Sequence, residues 1–425
     1  MTAPLKVVLL AINSPGYQSL ALGYLRAYAQ ADSRLQGRVG FQTLDLTTSD
    51  DPWWIAYRVI ALEPQVLAVS VFCWNASAVH DVCRIVRQAL PGIRIVLGGP
   101  EVGPVADEVL RAHPEVDAVV RGEGEAAFAD VLDLARREKP FTRADGVTAR
   151  NAAGEVVAAP DRPLIADLDT IPSPYLTGIV EPREGSAYIE TFRGCPHACG
   201  YCFEGKGYGR IRSFGKDRVE AEIAYLADER GVRQFSFIDS VFNLTPGRLE
   251  WLAGALEPYA RQGLTLHTVE VDIERVDDEA AALLRRAGVI SVETGPQSVG
   301  EAALAACRRP FDPTRFTAGV EALKRHGISV ECDLIAGLPE DTADDFLEGL
   351  RFCLDLDPGK IQTSTLHVLP GTDLYARADE LGLRFDPRPP HEIVATDDIG
   401  FADLRRLEAR SIYIARLYGS RIEGA

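Results

Sequence analysis

From Lys6 to about Glu138 the chain alternates short runs of β-branched and other apolar residues with longer amphipathic stretches, which is the pattern of a βα repeat. Strands are predicted at Lys6 to Ile12, Val39 to Asp45, Val66 to Phe72, Ile93 to Leu97 and Val116 to Val120. Between them lie helical stretches such as Ser77 to Leu90, where Val79, Val82, Cys83, Val86 and Leu90 share one face. Five such units predict an α/β domain over residues 1–140 with a doubly wound, Rossmann- or flavodoxin-like parallel sheet. Ligands of such sheets bind beyond the carboxyl ends of the strands. A site is therefore expected in the loops Asn13 to Ser19, Cys73 to Asn75, Gly98 to Gly103 and Gly122 to Glu125.

The period changes after residue 140, where DGVTARNAAGEVVAAPDRP reads as a hairpin and LDTIPSPYL as a proline-punctuated extended segment. Residues 141–184 are thus expected to form a linker. A second βα series follows, with strands predicted at Ala187 to Phe192, Gln234 to Asp239, Thr265 to Val271, Val289 to Thr294, Ser329 to Ile335 and Ile361 to Val368. Six repeats are too few for the closed eight-stranded barrel but enough for a partial (β/α)6 TIM barrel over 185–395, with its active site at the carboxyl ends of the strands. Phe401 to Tyr418 reads as one amphipathic helix within an extension of residues 396–425.

Composition narrows the classes. Apolar residues make up 46% and charged residues 25%, the balance of a folded globular protein. The apolar stretch Val7 to Ile12 is too short to span a bilayer and carries no secretory cleavage pattern, so a cytoplasmic protein without a membrane partner is expected. A formal charge of -17 opposes binding to polyanions, which favours a small-molecule or peptide substrate over nucleic acid.

Eight cysteines without an export signal argue for a reducing compartment rather than a disulfide scaffold. Cys73, Cys83, Cys307, Cys332 and Cys353 are scattered and read as small buried residues. The other three fall in TFRGCPHACGYCFEGKGYG, directly after the first strand of the second series, spaced Cys195-x3-Cys199-x2-Cys202. Three thiolates so placed can each hold one iron of a cubane cluster, leaving the fourth iron open. Zinc is the structural alternative, but it wants a fourth ligand, and His197 between two of the cysteines is poorly placed to supply it.

The run Cys195, Cys199, Tyr201, Cys202 resembles the Cys-x3-Cys-x-aromatic-Cys signature of the radical S-adenosylmethionine (SAM) superfamily. The resemblance covers roughly residues 185–395 and implies a 4Fe-4S cluster on the three cysteines. It further implies that the open iron chelates the amino and carboxylate groups of SAM. An external one-electron reductant of flavodoxin or ferredoxin type then drives cleavage of SAM to methionine and a 5'-deoxyadenosyl radical. SAM-binding positions implied by the family are Tyr201 and Phe203 in the loop, Asp239 and Ser240 ending the second strand, Glu293 on the fourth for the ribose, Gln297, Arg309, and Gly337 in the turn near adenine. Read singly, Asp239, Glu293 and Arg309 are equally open to being ordinary ion-paired residues at the barrel mouth.

The first domain, with INSPGYQSLALGYL, VLAVSVFCWNAS, VLGGPEVG and VVRGEGE, resembles the cobalamin-binding module that precedes such barrels in a large subgroup. Cobalamin contacts are accordingly expected at Asn13, Tyr17, Gln18, Ser19, Ser70, Cys73, Trp74, Asn75, Gly98, Gly99, Pro100, Glu101, Gly122 and Glu123. Trp74 also reads as a packing aromatic, Asn75 as a helix N-cap, and Tyr17, Gln18 and Ser19 as a cap of the first helix. The Asp-x-His-x-x-Gly motif that supplies an axial histidine to cobalt is missing; His80 and His113 stand in other contexts and read as helix-surface residues.

Together these resemblances imply a cobalamin-dependent radical SAM methyltransferase acting on a substrate carbon. Two alternatives stay open: the same cofactors used for a rearrangement, ring contraction or cyclisation, and a cobalamin-binding sensor whose cluster is structural. Glu204, Lys206, Tyr208, Arg210, Glu270, Asp272 and His367 lie near strand ends as substrate-facing candidates without an assignable role.

Overall fold

The structure is a computed structural model that describes residues 3–204 and 210–422. It divides into two compact units, Met1–Glu181 and Pro182–Ala425.

The first unit is built on strands β1 (Leu5–Asn13), β2 (Val39–Thr47), β3 (Val66–Ser70), β4 (Arg94–Gly98), β5 (Ala118–Val120), β6 (Val147–Arg150) and β7 (Val156–Ala158). Their order across the sheet is β2-β1-β3-β4-β5-β6-β7. The first four neighbouring pairs are parallel, and the pairs β5–β6 and β6–β7 are antiparallel. Helices α1 (Leu20–Ala31), α2 (Pro52–Ile60), α3 (Ala76–Ala89), α4 (Ala106–Ala112) and α5 (Gly124–Arg136) cover both faces. Leu9 and Leu10 point to opposite faces, and both are fully buried in separate cores, one against α1 and α5 and one against α2, α3 and α4. Each such leucine contributes about 1.5–3 kcal/mol through burial. The chain leaves β1 toward β2 on one side and reaches β3 on the other, so the strand order reverses between β1 and β3, the position at whose carboxyl edge such sheets bind ligands.

The segment 141–184, expected as a linker, does not stand apart. Its hairpin pairs onto the β5 edge, and Arg121 donates from Nη2 to Ala159 O at 2.6 Å and Asp161 Oδ1 at 2.8 Å, tying the loop after β5 to the returning strand. Val147, Thr148 and Ala149 are all buried, and Val147 and Ala149 join the core formed with α5, which fixes the hairpin there.

The second unit carries strands β8 (Ser186–Ile189), β9 (Phe192–Arg193), β10 (Arg212–Ser213), β11 (Gln234–Phe237), β12 (Thr265–Leu266), β13 (Val269–Glu270), β14 (Ser291–Gln297), β15 (Ser329–Ala336) and β16 (Lys360–Thr365). Parallel runs β8-β11-β12 and β13-β14-β15-β16 make the six predicted barrel positions, because β12 and β13 are halves of one strand broken at Thr268, whose φ is +50°. Helices α6 (Lys216–Ala224), α7 (Pro246–Ala260), α8 (Asp278–Arg286), α9 (Glu301–Ala306), α10 (Pro313–Arg325) and α11 (Ala343–Asp355) connect them on the outside. Along β15 Val330, Cys332, Leu334 and Ala336 are buried toward the helices, which places Glu331 and Asp333 on the concave face. After a short helix α12 (Asp373–Ala376), the long helix α13 (Phe401–Ile422) packs on β16, with the Tyr418 hydroxyl donating to Pro358 O at 2.6 Å. Among the described residues no helix is long and apolar enough to cross a membrane.

Candidate functional site

The cysteine loop leaves the barrel at the carboxyl end of β8. Its base is closed by the antiparallel rungs of β9 on β10 and by Phe214 N donating to Thr191 O at 3.0 Å. Gly194, at φ +104°, starts the turn, and a Cβ there would stand 3.1 Å from Arg210 O. Gly200 N donates to Cys307 O at 2.6 Å, and Leu374 N donates to Gly200 O at 3.0 Å, anchoring the middle of the loop from two other parts of the barrel.

All three predicted ligands are free thiols, Cys199 buried and Cys195 and Cys202 half-buried. Burial pushes the Cys195 thiol up and lifts Cys202 to about 11, so loading iron must displace protons. Three thiols can serve three irons of a cubane and leave the fourth open, whereas structural zinc takes four protein ligands. His197 does not complete a zinc set either, because its Nε2 lies 3.4 Å from Asp272 Oδ2. The residues present therefore fit a three-cysteine cluster.

Around the loop the predicted SAM positions separate into those that face the concave trough and those taken up by the protein. Asp239 turns inward. Its fully buried carboxylate accepts from Thr191 N at 2.7 Å, Phe192 N at 3.3 Å and Arg248 Nη2 at 2.6 Å, and it also bonds the Thr191 hydroxyl. This side chain pins the strand that feeds the cluster loop and has no oxygen left for a ligand. Its neighbour Ser240 donates to Gly194 O at 2.8 Å and contacts the Cys195 thiol. Arg309 donates to Cys199 Sγ at 3.6 Å and to Gly295 O at 2.7 Å, bridging the loop to β14. Tyr201 bonds the Cys199 side chain, and burial drives its phenol pKa upward. Phe203 is half-buried beside them.

Glu293 does face the trough, and it does not stand alone there. Asp333 on β15 hydrogen-bonds it, and burial with the adjacent charges of Glu293 and Glu331 lifts Asp333 to about 9, so Asp333 is the protonated partner at neutral pH. Glu270, Glu293, Glu331 and Lys360 are in register across β13 to β16 and form a polar row on the concave face. The end of β14 is bulged between Thr294 and Gln297, and Gln297 sits at φ +66°. Gly295 is obligatory there, since a Cβ would meet Asp333 O at 2.4 Å. Gly337, at φ +87°, ends β15, with the atoms nearest an added Cβ being Ile393 Cγ2 and Leu404 Cδ2, so its smallness serves packing as well as the turn.

Asp333, Thr191 and Arg248 were missed in the sequence. The available signal for Asp333 was a polar residue two positions after Glu331 in an otherwise apolar strand. Of the substrate-facing candidates, Glu204, Arg210 and Glu270 are exposed, Asp272 pairs with His197 and Arg275, and His367 forms a β-bridge with Glu392. Lys206 and Tyr208 lie outside the described residues.

In the first unit the predicted loops do collect along the carboxyl edge of β1, β3, β4 and β5. Gly99, at φ +120°, lies so close to β3 that a Cβ would come 2.3 Å from Val71 O, and Gly98 O accepts from Val71 N at 2.8 Å, which keeps Pro100 and Glu101 at the rim. Gly122 at φ +67° turns the chain into α5. Trp74 is exposed and stacks on Phe72 at 4.4 Å, while Cys73 is lifted to about 11 by burial and the neighbouring Glu101. Tyr17 is exposed, and Gln18 donates to Glu181 O at 3.0 Å.

Four side chains of this group serve the scaffold. Asn75 occupies the N-cap position of α3 but makes no capping bond; buried, it accepts from Phe72 N at 2.8 Å and donates to Ile12 O at 3.0 Å and Ser70 O at 3.2 Å. Asn13 donates to Asp45 at 2.5 Å, and the same carboxylate accepts from Ser19 N at 3.1 Å, so Asp45, unnoticed in the sequence, organises the β1 loop. Ser19 caps α1 through Leu22 N, and Glu123 accepts from Ile165 N at 2.8 Å. His80 and His113, the two histidines of this unit, stack on each other at 3.6 Å and are half-buried between helices rather than exposed on them. Among the described residues the edge loops therefore offer cobalt no imidazole, while their close backbone approach and exposed indole fit a large planar ligand.

Comparison with known proteins agrees. Residues 189–353 match the radical SAM superfamily and residues 20–132 the B12 binding domain. The chain is 28% identical over 411 residues to the cobalamin-dependent radical SAM methyltransferase TokK of Streptomyces tokunonensis, covering 90% of this chain and 58% of that protein. It is 29% identical over 344 residues to an anaerobic magnesium-protoporphyrin IX monomethyl ester cyclase of Synechocystis, covering 77% of this chain and 66% of that one. The fold matches that of the radical SAM methyltransferase TsrM from Kitasatospora setae with a TM-score of 0.71 at 18% identity, over 92% of this chain and 80% of that one. The chain thus spans little more than half the length of the TokK relative. The chain thus joins a B12 binding domain to a radical SAM domain and belongs with the radical SAM enzymes so built, with a 4Fe-4S cluster, SAM and cobalamin as its cofactors.

Proposed function

We propose that the chain is a cobalamin-dependent methyltransferase that methylates a carbon of a small molecule or peptide. The observation that carries this reading is the union in one chain of a cysteine triad fit for an open-iron cluster with a B12 binding domain. When bound, the cluster supplies the electron that cleaves SAM, and cobalamin supplies the transferable methyl group. The protein's own part is positional. Arg309 and Tyr201 hold Cys199 in place, Ser240 holds Cys195, and Glu293, kept company by protonated Asp333, is the acceptor for ribose hydroxyls. The electron comes from an external flavodoxin or ferredoxin, and the free cysteines suit the reducing cytoplasm.

Similarity to the magnesium-protoporphyrin cyclases favours a second reading, in which the same cofactors close a ring without methylation. Reconstituted enzyme supplied with methyl-deuterated SAM separates them. A product carrying the label supports the methyltransferase; turnover to a product that gains no methyl group supports the cyclase.

A further inference from the structure

Two histidines without a role in the cobalamin edge meet a carboxylate on the helical layer of the first unit. His80 lies one turn into α3, and His113 and Glu115 lie on the connection from α4 to β5. One ring nitrogen of each histidine and a carboxylate oxygen of Glu115 all fall within 4.8 Å of one another. His113 Nδ1 is 3.1 Å from Glu115 Oε1, and their side chains are 27% and 11% exposed, so an ion can reach them. His80 Nδ1 is buried and has no hydrogen-bond partner. Buried ring nitrogens are normally satisfied, and a ligand is one way to satisfy this one.

The segment bearing these groups is held rigidly. Arg87 donates to Glu115 O from Nη2 at 2.9 Å and from Nε at 3.2 Å, and Arg150 on β6 donates to His113 O at 3.4 Å and also bonds Leu110 O. The imidazoles lie face to face, 3.6 Å apart and 6° from parallel, an arrangement that two cations would not tolerate.

We propose that His80, His113 and Glu115 form a binding site for a divalent transition metal of the zinc class, which clips α3 to the α4–β5 connection. Two imidazoles and a carboxylate, with water in a fourth position, make a familiar tetrahedral donor set. An ion cannot lie in the plane of both rings while they stay parallel, so binding turns one ring out of the stack. The three residues belong neither to the cysteine triad nor to the predicted cobalamin loops, and the clip does not depend on what reaction the enzyme catalyses.

Zinc is the probe. The full chain, with its iron cluster loaded so that Cys195, Cys199 and Cys202 are occupied, is equilibrated with Zn2+, dialysed, and assayed for zinc and iron. The expected result is about one zinc retained per chain, lost in a His80→Ala/His113→Ala double variant and weakened at least tenfold in Glu115→Gln. Unchanged iron content and cobalamin binding in each variant establish that it has folded, and a His326→Ala variant, altered in the other unit, retains zinc as the wild type does. Zinc retention unaffected by the double substitution, or none retained by the wild type, overturns the site.

Discussion

Replacing Arg248 by Met isolates the role of the buried network beneath the cluster loop. Asp239 is 0% and Arg248 10% exposed, and their 2.6 Å contact is the only one from a cation to that carboxylate among the described residues. Burial raises the Asp239 pKa and lowers that of Arg248, so desolvation outweighs mutual attraction and the pair is expensive to keep. Removing one partner leaves the other charge stranded, which costs about 3–5 kcal/mol. Removing both, in Arg248→Met with Asp239→Asn, takes away the charge that was stranded and should recover about half or more of that loss. The local reporter is amide exchange over Ala187 to Cys195, because Thr191 N and Phe192 N donate to Asp239. A loss of about 3 kcal/mol in opening free energy speeds exchange there roughly 150-fold. The double variant should return most of the way, giving strong non-additivity in the cycle. Exchange accelerated less than fivefold in Arg248→Met, or a double variant as fast as the sum of the singles, would refute the assignment of Asp239 as an internal pin.

Three further outcomes follow from the same geometry. Asn75→Ala removes three hydrogen bonds to buried backbone and should destabilise the first unit in urea by about 2–3 kcal/mol, beyond the roughly 1 kcal/mol of a lost N-cap. Gly295→Ala forces a Cβ to within 2.4 Å of Asp333 O and should lower stability by about 1–3 kcal/mol while weakening SAM binding measured by equilibrium dialysis. For Asp333, a folded pKa of about 9 far above the unfolded carboxyl value means that the native state binds the extra proton between the two. Its contribution to stability therefore falls as pH rises from about 4 toward 9. Asp333→Asn should melt above the wild type at pH 8 by more than at pH 5 in thermal scans of the cluster-free chain; an equal offset at both would count against the buried-acid assignment.

How far the molecule could be read from its sequence depended on the range of the interaction. Strands such as Gln234 to Asp239 and Ser329 to Ile335 showed as alternating apolar and polar positions, because one face packs on helices and the other lines the trough, and the structure places strands at Gln234–Phe237 and Ser329–Ala336. The cysteine spacing is local and carried its chemistry with it. What stayed hidden was set by partners far away in the chain. Asp239 at a strand end looks like a ligand-binding carboxylate, but Thr191, 48 residues earlier, and Arg248 claim it. Asn75 has the residue type and position of an N-cap, yet the carbonyl of Ile12, 63 residues away, takes its amide. Nor does any local pattern reveal that His80 and His113 stack, that the third barrel strand breaks at Thr268, or that the 141–184 hairpin finds the β5 edge.

The central claim is that Cys195, Cys199 and Cys202 hold a cluster whose fourth iron is open to SAM, in a chain that also binds cobalamin. The direct measurement is anaerobic incubation of the reconstituted full chain with cobalamin, SAM and dithionite, followed by quantification of 5'-deoxyadenosine beside a Cys199→Ala control. Formation of 5'-deoxyadenosine by the wild type and none by the control is the predicted result. A wild-type chain that carries its full complement of iron and cobalamin yet leaves SAM intact would contradict the account and point to a structural cluster.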